Sequence, residues 1–268
     1  MGVKVNGPLL IIGGAEDKEG NMKILRRFIE LSGGKNARIG VATAATEEPE
    51  KAVSVYSDVF KKIGCEIIEP LLLKGRTSAN SPEMAKTLSS LSGVFFTGGD
   101  QLRISSIISG TVFEEKLLKL NKQGLIIAGT SAGASMMSKH MIVGGANDDS
   151  AKKSVVSLSP GIGLIDGVVI DQHFAQRGRV GRLLSVLAQN PYTLGIGIDE
   201  DTAIEVTAKG DFTVIGSQTV TILDGIKITE SNVSEQNAEE PLAILNITLH
   251  TLCPGYGFDL NTRKPFKV

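Results

Sequence analysis

A serine flanked by small residues, Gly129-Thr130-Ser131-Ala132-Gly133, stands where the apolar run Leu125-Ile126-Ile127-Ala128 gives way to Ala134-Ser135-Met136-Met137. A buried strand followed by a helix requires a sharp reversal between them. In a G-x-S-x-G elbow the apical serine takes strained backbone angles, and its small neighbours let strand and helix approach without clashing. The hydroxyl then lies at the helix N-terminus, where unsatisfied N–H groups and the macrodipole favour a developing oxyanion. The chemistry is attack of Ser131 on a carbonyl, with the N–H of Ala132 as one oxyanion donor. The same five residues also suit a tight turn in which Ser131 only caps the helix.

A serine nucleophile needs a base, and the chain has three histidines, His140, His173 and His250. His140 lies nine residues past Ser131; on one continuous helix it would stand about 13 Å along the axis and out of reach. His250 closes a strand-like segment, where a structural imidazole is expected. His173 follows the apolar run Val168-Val169-Ile170 at its carboxyl end, the edge of a parallel sheet where active sites gather, and is the candidate base. An acid should orient it. Asp199, Glu200 and Asp201 close the run Gly195-Ile196-Gly197-Ile198 at the same edge. Alternation puts Asp199 and Asp201 on one face and Glu200 on the other without choosing between them. Gly98-Gly99, after the run 93–97, offers a second oxyanion donor at Gly99, although glycine there is also ordinary turn chemistry.

Three arginines, Arg177, Arg179 and Arg182, open the helical pattern Val180, Leu183, Leu184, Leu187. Cations at a helix N-terminus oppose the macrodipole, by about 0.3 to 1 kcal/mol each when exposed, so something must compensate them. One reading is a site for carboxylates beside His173, bound bidentately. The other is a basic turn pairing with Asp171 or with residues 199–201.

These residues need a scaffold. Short apolar runs at 9–12, 38–43, 66–73, 93–97, 125–128, 168–171 and 195–199 alternate with helical patterns such as Val53, Tyr56, Phe60, Ile63, the signature of strand–helix–strand units on a parallel sheet. From Thr202 onward the segments 203–206, 212–215, 219–223 and 243–250 alternate apolar and polar residues. Lys209-Gly210-Asp211 and Asp224-Gly225 separate them as hairpin signals. The expectation is an α/β fold, three-layer α/β/α, with a mostly parallel central sheet and an antiparallel C-terminal extension. Residues 230–240 are polar and acidic and predict a loose surface loop.

With 268 residues, 41% hydrophobic and 21% charged, the chain suffices for one domain spanning 1–268 with a full core. Dispersed charge with a net of -1 excludes the single-sign field that nucleic acid or an anionic membrane would reward. Cys65 and Cys253 form no C-x-x-C or Cys/His cluster, so neither metal nor other cofactor is expected. The first apolar run is too short for a signal core or membrane span, and Asn6 stands where a myristoylation start needs Ser or Thr. The chain reads as cytoplasmic.

Six segments, Ile11 to Lys18, Thr97 to Arg103, Ala128 to Ala134, Asp171-Gln172-His173-Phe174, the three arginines, and Gly197 to Ala203, together resemble the cyanophycinases, serine peptidases related to the aspartyl dipeptidases. The resemblance implies a fold similar to the class I glutamine amidotransferase domain, a homodimer, and a Ser131, His173, Glu200 triad. It also implies a substrate pocket of Gln101, Asp171, Gln172, Arg177, Arg179 and Arg182. The family's substrate is cyanophycin, a poly-aspartate backbone bearing arginine on each β-carboxyl group, cut to β-aspartyl-arginine dipeptides. Each repeat carries one free carboxylate and one guanidinium, which arginines and acids would bind. Residues 146–160 match the family only loosely, and a loop there bordering the pocket would alter specificity. Other expectations are an aspartyl or isoaspartyl dipeptidase acting on short peptides, and a non-catalytic carboxylate or peptide sensor on the same fold.

Overall fold

A strand with only apolar side chains must be covered on both faces, and Leu9–Ile12 (β1) is such a strand, with all four residues buried. Leu9 and Ile11 enter one core, Leu10 and Ile12 another. In the computed structural model, which describes residues 2–145 and 150–268, β1 lies mid-way across a nine-stranded sheet. To one side run parallel strands in the order Ile126–Thr130 (β5), Gly93–Phe96 (β4), Arg38–Ala42 (β2) and Ile67–Leu71 (β3). To the other run antiparallel strands, Thr202–Val206 (β8), Asp211–Gly216 (β9), Tyr256–Asp259 (β12) and Lys264–Lys267 (β13).

Helices Lys23–Leu31 (α1) and Pro49–Ile63 (α2) cover one face, their Phe28, Tyr56 and Phe60 packing around Phe95 of β4. Gln101–Ile108 (α3) and Val112–Lys122 (α4) cover the other through Ile104, Ile108, Phe113 and Leu117. This is the three-layer α/β/α arrangement with an antiparallel extension that the sequence pattern predicts.

Two expectations are corrected. The runs at 168–171 and 195–199 do not join the large sheet; Val168–Gln172 (β6) and Leu194–Ile198 (β7) pair in parallel in a second sheet. That sheet continues antiparallel through Val220–Asp224 (β10) and Thr248–Leu252 (β11). The tail is therefore divided, with β8 and β9 on the large sheet and β10 and β11 on the small one. Ile170, Ile196 and Ile198 share a core with Ile11 and Phe96 of the large sheet. Apolar periodicity reports burial on both faces but not which sheet supplies the cover. The second correction concerns the helix after Ser131, which spans only Ala132–Ser135 (α5), while His140 opens a strand, His140–Gly144, paired with Ser157–Pro160. Backbone partners from the 160s take over at that point: the N–H of Lys139 donates to the Ile165 carbonyl and that of Ile162 to the Met136 carbonyl. His140 is exposed. His250 sits half-buried within β11 against Phe258, ring centroids 5.7 Å apart.

The outer face of the small sheet is covered by Val180–Gln189 (α6), whose Leu183, Val186 and Leu187 meet Val169 and Leu223. Alternation along β6 puts Asp171 on the same face as Val169, under the first turn of α6. Arg182 Nε donates to Asp171 Oδ2 at 2.7 Å and its Nη2 to Oδ1, while Arg179 Nη1 lies 3.3 Å from the same Oδ1. All three side chains are buried. The compensation that the arginines required at this helix N-terminus is thus a buried carboxylate. Asp171→Ala leaves two buried guanidinium groups without it, and chemical denaturation at neutral pH should show a loss of about 3 to 5 kcal/mol.

Candidate active site

Ser131 sits between β5 and α5 with φ 53° and ψ -111°, a conformation that L-residues hold only when their surroundings enforce it. Its side chain makes no cap bond to the helix; Oγ lies 2.9 Å from His173 Nε2. His173, also at positive φ, follows the last residue of β6. Its Nδ1 is 2.6 Å from Glu200 Oε1. With Nδ1–H donated to that carboxylate, the Nε2 lone pair faces the serine hydroxyl. Burial holds the imidazole pKa below its ordinary 6.5; the Glu200 hydrogen bond opposes this, while the positive charges of Arg177 and Arg179 add to it. The neutral imidazole, the form able to accept a proton, is favoured down to lower pH than in a free histidine.

The other two acids of the trio have other partners. Asp199 is buried and accepts from the Ala175 N–H at 3.0 Å and the Thr219 hydroxyl at 2.7 Å. Asp201 accepts from the Asp17 N–H at 2.9 Å. These three bonds tie down the turn that presents Glu200.

What brings these segments together is the glycine pair after β1. The carbonyls of Ile12, Gly13 and Gly14 accept, in succession, the N–H groups of Ser131 at 3.1 Å, His173 at 2.8 Å and Asp201 at 2.9 Å. A side chain at Gly13 would run into the Asp199 carbonyl, and one at Gly14 into the His173 ring. Sequence reasoning assigned no role to the residues that follow. Glu16 is buried, accepting from Tyr56 Oη at 2.6 Å and Thr130 Oγ1 at 2.5 Å, with Lys18 Nζ at 2.8 Å. It anchors the residue preceding Ser131. The only signal was an acid two residues after a glycine pair, and its two hydroxyl partners lie 40 and 114 residues away in the chain.

Beside the serine, Gly98 packs so closely that a Cβ there would stand 3.4 Å from Ser131 Cβ. Gly99, at φ 142°, is exposed next to it, and Ala132 begins α5, where N–H groups have no intrahelical acceptor. Gln101 Nε2 donates to the Ile142 carbonyl at 2.8 Å. Gln172 is buried, and both its backbone carbonyl and Oε1 accept from Arg179 Nη1 at 2.5 Å. Desolvation brings the Arg179 pKa down to about 10, against the attraction of Asp171. Of the three arginines, Arg179 and Arg182 point inward at Asp171 and only Arg177 is exposed, its N–H bonded to the His173 carbonyl at 3.1 Å. Of the loop at 146–160, residues 146–149 lie outside the described residues. No group of three or more His, Cys, Asp or Glu that could hold a metal occurs among the described residues.

Residues 9–215 match peptidase family S51. The chain is 41% identical over 256 residues to a cyanophycinase of Trichormus variabilis, covering 95% of this chain and 86% of that protein. It is 38% identical over 259 residues to a cyanophycinase of Synechococcus elongatus, covering 96% and 80%. The crystal structure of a peptidase from an acI-B1 Actinobacterium is similar in fold, with a TM-score of 0.67 and 20% identity over 98% of this chain and 97% of that one. A putative peptidase E from Listeria monocytogenes EGD-e superposes with a TM-score of 0.55 and 18% identity, over 79% and 99%.

Two measurements follow from the geometry. Gly14→Ala must displace the imidazole, and turnover of a small activated ester should fall by about a hundredfold or more, the cost of misplacing a reacting group by roughly 1 Å. Removing a nearby positive charge eases protonation of His173, so Arg177→Gln should move the acid limb of the kcat/KM profile to higher pH, with the shift shrinking as salt is added.

Proposed function

The chain belongs to peptidase family S51, and we propose that it is a serine-type exopeptidase that hydrolyses cyanophycin to β-aspartyl-arginine dipeptides. The observation that carries this reading is the relay from Ser131 Oγ to His173 Nε2 at 2.9 Å and from His173 Nδ1 to Glu200 at 2.6 Å, in a chain similar over 95% and 96% of its length to cyanophycinases.

Ser131 attacks the backbone carbonyl while His173 takes the hydroxyl proton. Glu200 holds the ring in the tautomer that can accept it and stabilises the imidazolium that forms. The N–H groups of Ala132 and Gly99 receive the oxyanion. Collapse of the tetrahedral intermediate expels the amine, which takes its proton from His173, and water then hydrolyses the acyl-serine by the same steps.

Substrate binding falls to Gln101, Asp171, Gln172, Arg177, Arg179 and Arg182. Within that group the buried Asp171–Arg179–Arg182 ion pairs fix the start of α6, and the exposed Arg177 is the one placed to take up a free carboxylate from solvent. We read residues 1–268 as one catalytic unit working as a homodimer in the cytoplasm; among the described residues no helix is long and apolar enough to cross a membrane.

The deciding assay is release of β-aspartyl-arginine from purified cyanophycin. Ser131→Ala should lower it by about a thousandfold or more, given what loss of a nucleophile costs. Release near the parental rate would remove Ser131 from the mechanism, and a parent enzyme that cleaves short aspartyl peptides but not the polymer would make it a dipeptidase instead.

A further inference from the structure

A cleft of about 890 Å³ opens along α3 beside the reacting serine and has no part in the catalytic relay. Thr46 and Glu47, after β2, line it together with Gly99, Asp100 and Arg103 and with Ser159. Gly99 lines this cleft and is the neighbour of Gly98, where a Cβ would just meet Ser131 Cβ at 3.4 Å. The cleft therefore reaches the residue next to the one that faces Ser131.

Arg103 sets this cleft apart from the arginine cluster on α6. It is half-buried, and no carboxylate among the described residues pairs with it. Its Nε is buried without an acceptor. A desolvated guanidinium N–H left in this way costs about 1 to 3 kcal/mol, so the charge of this half-buried group is poorly compensated from within the protein. Two acids face the same space: Glu47 is exposed, and Asp100 is exposed with only Oδ1 engaged, accepting the Leu102 N–H at 2.8 Å to cap α3. One cavity thus offers an unpaired planar fork for a carboxylate and two carboxylates for a cation.

We propose that this cleft is an extended-substrate subsite: it holds a polymer repeat adjacent to the one being cleaved, Arg103 binding that repeat's free carboxylate and Glu47 and Asp100 its guanidinium. The inference rests on the reading of the enzyme as a cyanophycin hydrolase. It accounts for a cation without a carboxylate partner in the cleft that Gly99 lines, and it predicts that substrates longer than the repeats at the scissile bond gain affinity from the second charged pair.

The test compares kcat/KM for defined two-repeat and four-repeat oligomers of the polymer. The parent should favour the longer oligomer, and Arg103→Ala should lower that preference about tenfold or more. Arg103→Lys, which keeps the charge but not the fork, should fall between them. Calorimetric titration of the four-repeat oligomer into Ser131→Ala and into Ser131→Ala/Arg103→Ala reads the same contact without turnover; the second Kd should be about tenfold weaker, with a smaller salt dependence. An unchanged length preference together with an unchanged Kd, in variants with the parental thermal midpoint, would overturn the subsite. Should Arg103→Ala not fold, Glu47→Gln/Asp100→Asn carries the same expectation and the same refutation. A parent that cleaves neither oligomer counts against the proposed function, and the titration still decides the cleft.

Discussion

Everything in the site depends on the close approach of chain segments at Gly13 and Gly14. A hydrogen-bonded relay tolerates errors of a few tenths of an ångström, yet its members come from the end of β5, the end of β6 and the turn after β7. Three consecutive carbonyls at the end of β1 receive an N–H from each of those segments. This is possible only because residues 13 and 14 have no side chains to hold the segments apart. The strain at Ser131 and the positive φ at His173 and Asp201 persist because these backbone bonds over-determine them.

Beneath this crossing, two buried acids do complementary work. Glu16 joins the loop after β1 to α2 and to the residue before Ser131. Asp171 joins β6 to the start of α6. Each buried carboxylate is met by several donors, so its desolvation is offset, and each sets the position of one half of the relay: the serine elbow in the first case, the turn carrying His173 in the second.

Ser131 and His173 were legible in the sequence because each stands at the carboxyl end of an apolar run, and because only three histidines competed for the role. Periodicity could not select Glu200, since a two-residue period merely sorts Asp199 and Asp201 from it; the choice is made by Thr219 and Asp17, which occupy the other two acids. The assignment of β6 and β7 to a second sheet was invisible for a related reason: an apolar strand looks the same whichever sheet covers it. The continuous helix expected after Ser131 failed because small apolar residues describe burial rather than helix length, and backbone partners from the 160s intercept it. The orientation of the arginines was half-legible. Their position at the helix start demanded an anion, and only the pleat of β6 shows that Asp171 lies beneath them.

The division of the tail between two sheets has a mechanical consequence. The chain passes from the small sheet to the large one between β7 and β8, returns between β9 and β10, and crosses again between β11 and β12. Glu200 lies on the first of these crossings, while Ser131 belongs to the large sheet and His173 to the small one. Ser131, His173 and Glu200 thus meet where the chain itself ties the two sheets together. The relay forms only when parts of the chain far apart in sequence have found one another, contacts whose loop-closure entropy must be met before they stabilise anything.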